Sequence, residues 1–495
     1  MVAHGGEVMM RPRLRFLTDA LIEQIIAEAR QALSSLGVEI HNGNALALLA
    51  DHGARIDRKT SRAFLDDRLI DQSLASVPNS FKLFSASGNQ TNDFSGDTIH
   101  FTPGSSALNY LDHGAHAVRR PLTGDYVNYV KVVDQLPHIA SQSTAMIPAD
   151  VVNNVSDSYR LFLSLLHSSK PVVTGTFTIE SFQVMKDMLL AVRGSAHALK
   201  DKPLAVFSCC PTSPFKWSNV TSQNVLDCAK YSIPVEFIAM PLSGFVAPVT
   251  LVGTLIQHTA ETFSGIVLSQ LARPGTPILY GGSPAIFDHR YESTPMGAIE
   301  TMMIDCAYNE IGKYLGIPTQ AYIALTDSKQ LDVQAGLESG MGATLAALSG
   351  INNISGPGMI DFESCISLEK LVIDNEACGM VLRMVRGIEP REDFPSLPRF
   401  EELLRDEHLL ISRHTRKYLK EEIYCPGPVI NRANHARWVE EGSSTMGDRA
   451  HAEVERLLRC YQPPSLPGDT RRDLLGIMQA SAKQHGQDAL PETRP

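Results

Sequence analysis

Positive charge is in short supply. The chain sets 44 lysines and arginines against 54 aspartates and glutamates, a formal charge of −10, and nowhere gathers a basic block able to neutralise a phosphate backbone. Nucleic acid is therefore not an expected partner. Its eight cysteines, at 209, 210, 228, 306, 365, 378, 425 and 460, show neither CxxC spacing nor the density of a disulfide framework, so reduced and mostly buried thiols are expected. The start MVAHGGEVMMRPRLRF lacks the apolar core of a secretory signal, which makes the cytoplasm the expected compartment. One uncharged run, Phe237 to Ile256, is long enough to span a bilayer, but two prolines, two glycines and a serine interrupt it. A strand, a loop and the start of a helix are expected there, and no membrane span. Also missing are GxGxxG after a strand, GxSxG, GxxxxGK[ST] and HExxH.

What is present suits a folded globular protein: 495 residues, 43% hydrophobic and 20% charged. Residues 1–135 read as an N-terminal helical and hairpin cap. LTDALIEQIIAEARQALSSLG ends at Gly37, where a left-handed cap suits glycine, and DTIHFTPGSSALNYLDHGAHAVRRPLTGDY has the alternation of a hairpin. Residues 136–390 carry seven apolar runs separated by helical stretches: IASQSTAMIP, PVVTGTF, PLAVFSCC, IPVEFIAMP, TPILYGG, IPTQAYIAL and INNISGPG. That alternation predicts an α/β body with a parallel sheet covered by helices, a TIM-type β/α barrel ahead of a doubly wound sheet, with the eighth strand unassigned. The helix after Tyr280 is expected to be capped by Thr294 with Pro295 in its first turn. Residues 391–495 read as a C-terminal helical extension with a loose tail.

In a barrel, catalytic groups project from the ends of the strands. The triplets just past the apolar runs include Gly175-Thr176-Phe177, Cys209-Cys210-Pro211, Met240-Pro241-Leu242 and Gly281-Gly282-Ser283, mostly small or apolar, which leaves room for something large to approach. Asp327-Ser328-Lys329 is the polar exception. It opens TDSKQLDVQAGLESG, where Asp332 can cap a helix while the other carboxylates lack such an explanation. His113 and His116 in DHGAH have no visible third ligand, so no metal is expected. Cys209 and Cys210 offer thiols whose ordinary fate is burial. Tyr110, Phe177, Tyr280, Phe287, Tyr322 and Phe362 lie near the rim and could form a cage for a quaternary ammonium ion, against plain core packing.

RPLTGDYVNYVKVVDQLPHI, GTPILYGGSPAIFDHR, TDSKQLDVQAGLESG and SLEKLVIDNEACGM, in this order, resemble the trimethylamine methyltransferase superfamily from about Leu14 to Leu458. The resemblance implies a β/α barrel that moves a methyl group from a methylated amine to the cob(I)alamin of a separate small corrinoid protein, in methanogenesis-type one-carbon metabolism. The archaeal trimethylamine enzymes carry pyrrolysine, and in or near Asp332-Val333-Gln334 this chain has standard residues only. The resemblance is therefore to the non-pyrrolysine branch, whose members act on quaternary amines such as glycine betaine. It implies a corrinoid carried by the partner with none held tightly by this chain, and it is compatible with a homo-oligomer. On this reading Asp327, Asp332 and Gln334 are polar positioners at the mouth. Tyr110 and Phe362, with Tyr280 and Phe287 behind them, make the cage, and Lys329 meets a substrate carboxylate. A trimethylamine-type enzyme, a barrel lyase or aldolase without corrinoid, and a non-catalytic betaine-binding protein are the alternatives.

Overall fold

The structure, a computed structural model, describes residues 11–491. Eight parallel strands form its centre: β1 (His100–Thr102), β2 (Gln142–Ser143), β3 (Val172–Thr174), β4 (Ala205–Cys209), β5 (Val235–Ala239), β6 (Ile278–Gly282), β7 (Gln320–Tyr322) and β8 (Asn353–Ser355). After each comes a helix: α1 (Thr123–Gln135), α2 (Ser156–His167), α3 (Ile179–Arg193), α4 (Asn219–Tyr231), α5 (Leu251–Ala272), α6 (Ile299–Tyr314), α7 (Val333–Ser349) and α8 (Leu368–Val385). The body is α/β with parallel sheets, as expected.

The pairing runs in two ladders. Strands β2 to β6 make one five-stranded ladder, and β7, β8 and β1 make a three-stranded one, parallel throughout. At one seam the Tyr280 N–H donates to the Pro318 carbonyl at 2.8 Å, and at the other the Ala140 N–H donates to the Phe101 carbonyl at 2.8 Å. The first seam is the parallel bridge of Tyr280 with Thr319, and the second holds two, Phe101 with Ile139 and, farther on, Ala107 with Met146.

All seven apolar runs contain one of the strands β2 to β8. The segment from Asp97 to Tyr126 needs correcting, because its first part is no hairpin arm: His100–Thr102 is β1, paired in parallel with Asn353–Ser355. Period-2 alternation is common to parallel and antiparallel strands, so the pattern alone does not separate them. An antiparallel exchange does follow nearby, between Tyr110 and Arg119. The N-terminal region has two hairpins, Arg55–Asp57 with Arg62–Phe64 and, against the body, Phe81–Phe84 with Gln90–Phe94. Phe81, Leu83 and Phe94 of the second hairpin pack on Val173, Val206 and Leu279, and its Asn92 donates to the Ser141 hydroxyl at 3.1 Å, closing the end where the strands begin.

Helix α6 also starts later than expected, with Ala298 rather than Thr294 at its cap position. Asp327 from the next loop takes over there, accepting the Met296 and Gly297 N–H groups at 2.8 and 2.9 Å. Gly37 has φ +70°, the left-handed value its position demanded. The run from Phe237 divides into strand β5, a two-residue strand at Leu242–Ser243 and helix α5. No helix among the described residues is long and apolar enough to cross a membrane.

Candidate active site

Where the strands end, the chain leaves a cavity of about 320 Å³. Its wall draws on nearly every β/α unit: Ser105 and Ser106 after β1, Thr144 after β2, Gly175 to Phe177 after β3, Ser208 of β4, Ile238 of β5, Ser283 after β6 and Tyr322 of β7. Glu363 completes it from the loop beyond β8.

Behind the wall lies an acid inside a strand, bonded to the lining residue Ser208. Glu236 alternates with Val235 and Phe237 on β5, so its side chain takes the interior face, fully buried. Ser208 donates to its carboxylate at 2.7 Å and the Asn353 amide at 3.4 Å. Burial pushes the Glu236 carboxyl up to about 7, and those two hydrogen bonds pull against that rise. Glu363 sits in a left-handed run, with φ of +52°, +56° and +71° at Asp361, Phe362 and Glu363. Such backbone is costly for residues with a Cβ, and strain of this kind collects at functional sites. The Ser105 N–H donates to the Glu363 carboxylate at 3.2 Å. Burial, with Glu236 adding to it, pushes Glu363 up to about 8.

Opposite charge enters from α2. Arg160 is buried, yet it lines the cavity and has no carboxylate within 4 Å among the described residues. Its Nη1 donates to the Thr144 carbonyl at 2.7 Å and its Nε to the Ser156 carbonyl at 3.2 Å. Phe177 lies against the guanidinium, 4.6 Å from ring centre to Cζ, and its backbone N–H is held by Asp157 at 2.6 Å. Tyr322, the cavity's second aromatic ring, shares a 2.6 Å hydrogen bond with the Ser105 hydroxyl. The cavity thus presents a buried cation and the Glu363 carboxyl, with Glu236 buried behind Ser208 of its wall, both carboxyls poised near neutrality. Cys210 reaches it too, but burial pushes its thiol up to about 12, so it is no thiolate.

The sequence-predicted site residues gather elsewhere. Asp327 holds the turn before α6 and is pushed up to about 6, chiefly by burial. Asp332 caps α7 through the Ala335 N–H at 3.0 Å and accepts the Ser328 hydroxyl at 2.8 Å. Gln334 donates to Glu338 at 2.8 Å, and Glu338 also takes the Asp327 N–H at 2.8 Å. The carboxylates of TDSKQLDVQAGLESG therefore tie a loop and a helix start together.

Lys329 stands 3.9 Å from the centre of the Phe362 ring, and Arg119 lies 4.9 Å from that of Tyr110, so each ring already carries a cation of the protein itself. Phe287 stacks on Phe245 at 4.9 Å, apart from the Phe362 cluster. Tyr280 faces the helix layer, donating to the Thr259 hydroxyl at 3.0 Å, and is fully buried. None of the eight lines the cavity, and the expected four-ring cage is not assembled. Residues on alternate faces of a strand look alike in sequence, so nothing local to Tyr280 marks it as facing the helices.

His113 does meet further potential metal ligands, Glu369 and His451. Glu369 accepts from His451 Nδ1 at 2.8 Å, while the two imidazoles stack at 4.0 Å with planes only 7° apart. A ring-nitrogen lone pair lies in the ring plane, so two rings so arranged do not aim at one ion.

The family model described as trimethylamine methyltransferase (MTTB) matches residues 6–485. A trimethylamine methyltransferase of Desulfitobacterium hafniense (strain DSM 10664 / DCB-2) is 26% identical over 95% of this chain and 94% of its own length. A glycine betaine methyltransferase of Desulfitobacterium hafniense (strain Y51) is 28% identical over 96% of this chain and 99% of its own. Among solved structures, the monomethylamine methyltransferase of Methanosarcina barkeri aligns with a TM-score of 0.49 at 11% identity, covering 94% of this chain and 93% of that one. With the match running nearly end to end, the chain belongs to the trimethylamine methyltransferase family and is a methyltransferase.

Proposed function

We propose that the protein transfers a methyl group from a quaternary amine bearing a carboxylate, glycine betaine first among them, to the corrinoid of a partner protein. The observation that carries this reading is one cavity lined by Arg160, buried without a carboxylate partner, and by Glu363, with Glu236 buried behind Ser208 of its wall. A zwitterion complements that arrangement at both ends. Trimethylamine has no carboxylate to offer Arg160. The same proposal takes the two ladders, bridged at both seams, as one closed β/α barrel with its cavity at the mouth.

The mouth of the cavity suits a docked corrinoid. Gly175 and Ser283 are small, while Phe177 and Met240 stand exposed beside them, an apolar collar that a flat macrocycle and its protein can meet. A docked corrinoid would supply a Co(I) nucleophile for the methyl group, and the C–N electron pair would stay with nitrogen. The amine leaves neutral, so the chain need not provide a general acid. What its residues contribute is position. Arg160 fixes the carboxylate, the two glutamates hold the ammonium end, and Tyr322 with Ser105 shapes the space between. As positive charge leaves nitrogen, the glutamates lose their counter-ion and become more basic, which limits how far they stabilise the bound substrate over the transition state.

Calorimetric titration with glycine betaine, alone and against trimethylamine, tests the reading. Binding of the zwitterion that is weakened in both Arg160→Gln and Glu363→Gln is expected. Equal affinity for the two ligands in the wild type would exclude the proposed recognition.

A further inference from the structure

Three successive residues with a Cβ, Asp361, Phe362 and Glu363, are left-handed, and only the last of them lines the cavity. Such backbone persists only where its surroundings hold it, and a run that relaxed to negative φ would swing Glu363 away. On the cavity side the holding is plain. The Ser105 N–H donates to the Glu363 carboxylate at 3.2 Å, and residue 104 is glycine, where a Cβ would stand 3.1 Å from Oε1 of Glu363. Within the run, Ser364 donates its N–H to the Asp361 carbonyl at 2.9 Å and its hydroxyl to the Asp361 carboxylate at 2.6 Å.

The other side is held by the turn Asp327-Ser328-Lys329. The Asp361 N–H donates to the Ser328 carbonyl at 2.8 Å. Lys329 Nζ stands 3.9 Å from the centre of the Phe362 ring and 3.8 Å from the Asp361 carboxylate, while donating to the Asp327 carbonyl at 2.7 Å. The turn is itself fastened: the Ser328 N–H donates to the Thr326 hydroxyl at 3.0 Å, and the Ser328 hydroxyl donates at 2.8 Å to Asp332, the cap of α7. One exposed ammonium therefore meets the first two residues of the run, and the third reaches the cavity.

We propose that Lys329 is a positioning residue, which clamps Asp361 and Phe362 from the solvent side so that the left-handed run delivers Glu363 to the cavity. The proposal rests on the reading of Glu363 as a holder of the ammonium end. A surface ion pair at this distance would contribute little by itself. What sets Lys329 apart is that both of its contacts fall on strained residues, and that its stem leaves a turn already tied to α7. Methionine at this position keeps an apolar stem over the ring and loses the cation. Arginine keeps the cation, since a guanidinium also stacks on an aromatic face.

The ligand-free protein gives the first test, through the pH dependence of its melting temperature. The folded Glu363 carboxyl is held at about 8, above its ordinary 4.5, so the stability tied to its proton is lost as pH rises between those values. Above about pH 7 the ionisation of Glu236 is largely complete, and the fall that remains up to about pH 8 belongs to Glu363. Glu363→Gln is expected to flatten that fall. Lys329→Met is expected to flatten it likewise, because a glutamate released to water titrates at its ordinary value, and Lys329→Arg to bring it back. In calorimetric titration Lys329→Met is expected to weaken glycine betaine binding about two- to fivefold. Added to Glu363→Gln it is expected to weaken binding no further, since it acts through Glu363. A Lys329→Met protein with the wild-type pH slope, an arginine variant that fails to restore it, or a loss of affinity that adds to that of Glu363→Gln would each overturn the clamp. A wild type that binds no glycine betaine would overturn the substrate reading instead, and the pH slope would still decide the role of Lys329.

Discussion

Arg160 lays its guanidinium 4.6 Å from the centre of the Phe177 ring, buried and with no carboxylate within 4 Å among the described residues. A buried charge left without a counter-ion is expensive, and burial draws the Arg160 pKa downward. Its two backbone carbonyl acceptors offset part of that cost. A substrate carboxylate would offset the rest. Arg160→Gln is therefore expected to weaken glycine betaine binding by about 1.5–3 kcal/mol, the range for hydrogen bonds to charged groups, and to leave trimethylamine binding unchanged. Titration calorimetry on the folded variant measures both, and parallel losses for the two ligands would count against a carboxylate role.

The glutamates make binding depend on pH. In the ligand-free protein the carboxyls of Glu236 and Glu363 are held up to about 7 and about 8. A cation placed beside them favours their ionised forms, so binding should release protons. Affinity is expected to rise between about pH 6 and about pH 8.5 and then level off. Calorimetry in buffers of different ionisation enthalpy counts the protons. A flat profile would mean that the ammonium end does not face these groups.

Glu236 should also burden the empty fold. Its folded pKa, about 7, lies above the ordinary 4.5, so the folded state binds the extra proton and stability falls as pH rises through that window. The loss approaches roughly 3 kcal/mol above pH 7, as an upper bound. Glu236→Gln is expected to raise the melting temperature of the ligand-free protein at about pH 8, with little change at about pH 5, while binding is lost. Differential scanning fluorimetry at both pH values is sufficient, and a variant less stable at the higher pH would refute the assignment.

The density of polar groups from Thr326 to Gly340 has a mostly architectural answer. Asp332 caps α7, and Asp327 satisfies two N–H groups ahead of α6. Asp332→Ala should cost about 1 kcal/mol, the usual worth of an N-cap, with substrate affinity unchanged. Chemical denaturation and calorimetry separate the two effects. Lost affinity at full stability would return this residue to the substrate site.

How much of this could be read from the chain differs from residue to residue. Seven strands announce themselves as apolar runs, and Gly175, Phe177, Met240 and Ser283, at their ends, do line the cavity. Glu236 leaves a signal in the sequence: one acid within IPVEFIAMP, where burial on both faces demands a partner or a function. Arg160 leaves none. It sits in an amphipathic helix whose polar residues look solvent-facing until tertiary packing turns that face toward the strand ends. Glu363 depends on a left-handed run of three non-glycine residues, which no local propensity announces. Of the six aromatics near the rim, Phe177 and Tyr322 line the cavity, and the others do not, for a physical reason. Tyr110 and Phe362 do stack on cations, but those cations are Arg119 and Lys329.

Substrate choice is the remaining prediction. The relatives include enzymes named for trimethylamine and for glycine betaine at nearly equal identity, 26% and 28%, so overall similarity does not decide between them. The cavity's charges favour the betaine. Arg160 lacks any counter-ion when trimethylamine is bound, whereas glycine betaine supplies one at a fixed distance from its ammonium centre. A quaternary nitrogen is also already activated, since its displacement expels a neutral amine. Reduced corrinoid protein, incubated with this enzyme and with glycine betaine, proline betaine, carnitine, choline or trimethylamine in parallel, reports transfer through its absorption spectrum. The carboxylate-bearing amines are expected to react and choline to fail, because choline keeps the ammonium and lacks the carboxylate. Arg160→Gln should narrow the gap between glycine betaine and choline by roughly ten- to a hundred-fold, chiefly by slowing glycine betaine. A wild type that prefers trimethylamine or choline would show that Arg160 serves the fold and not the substrate.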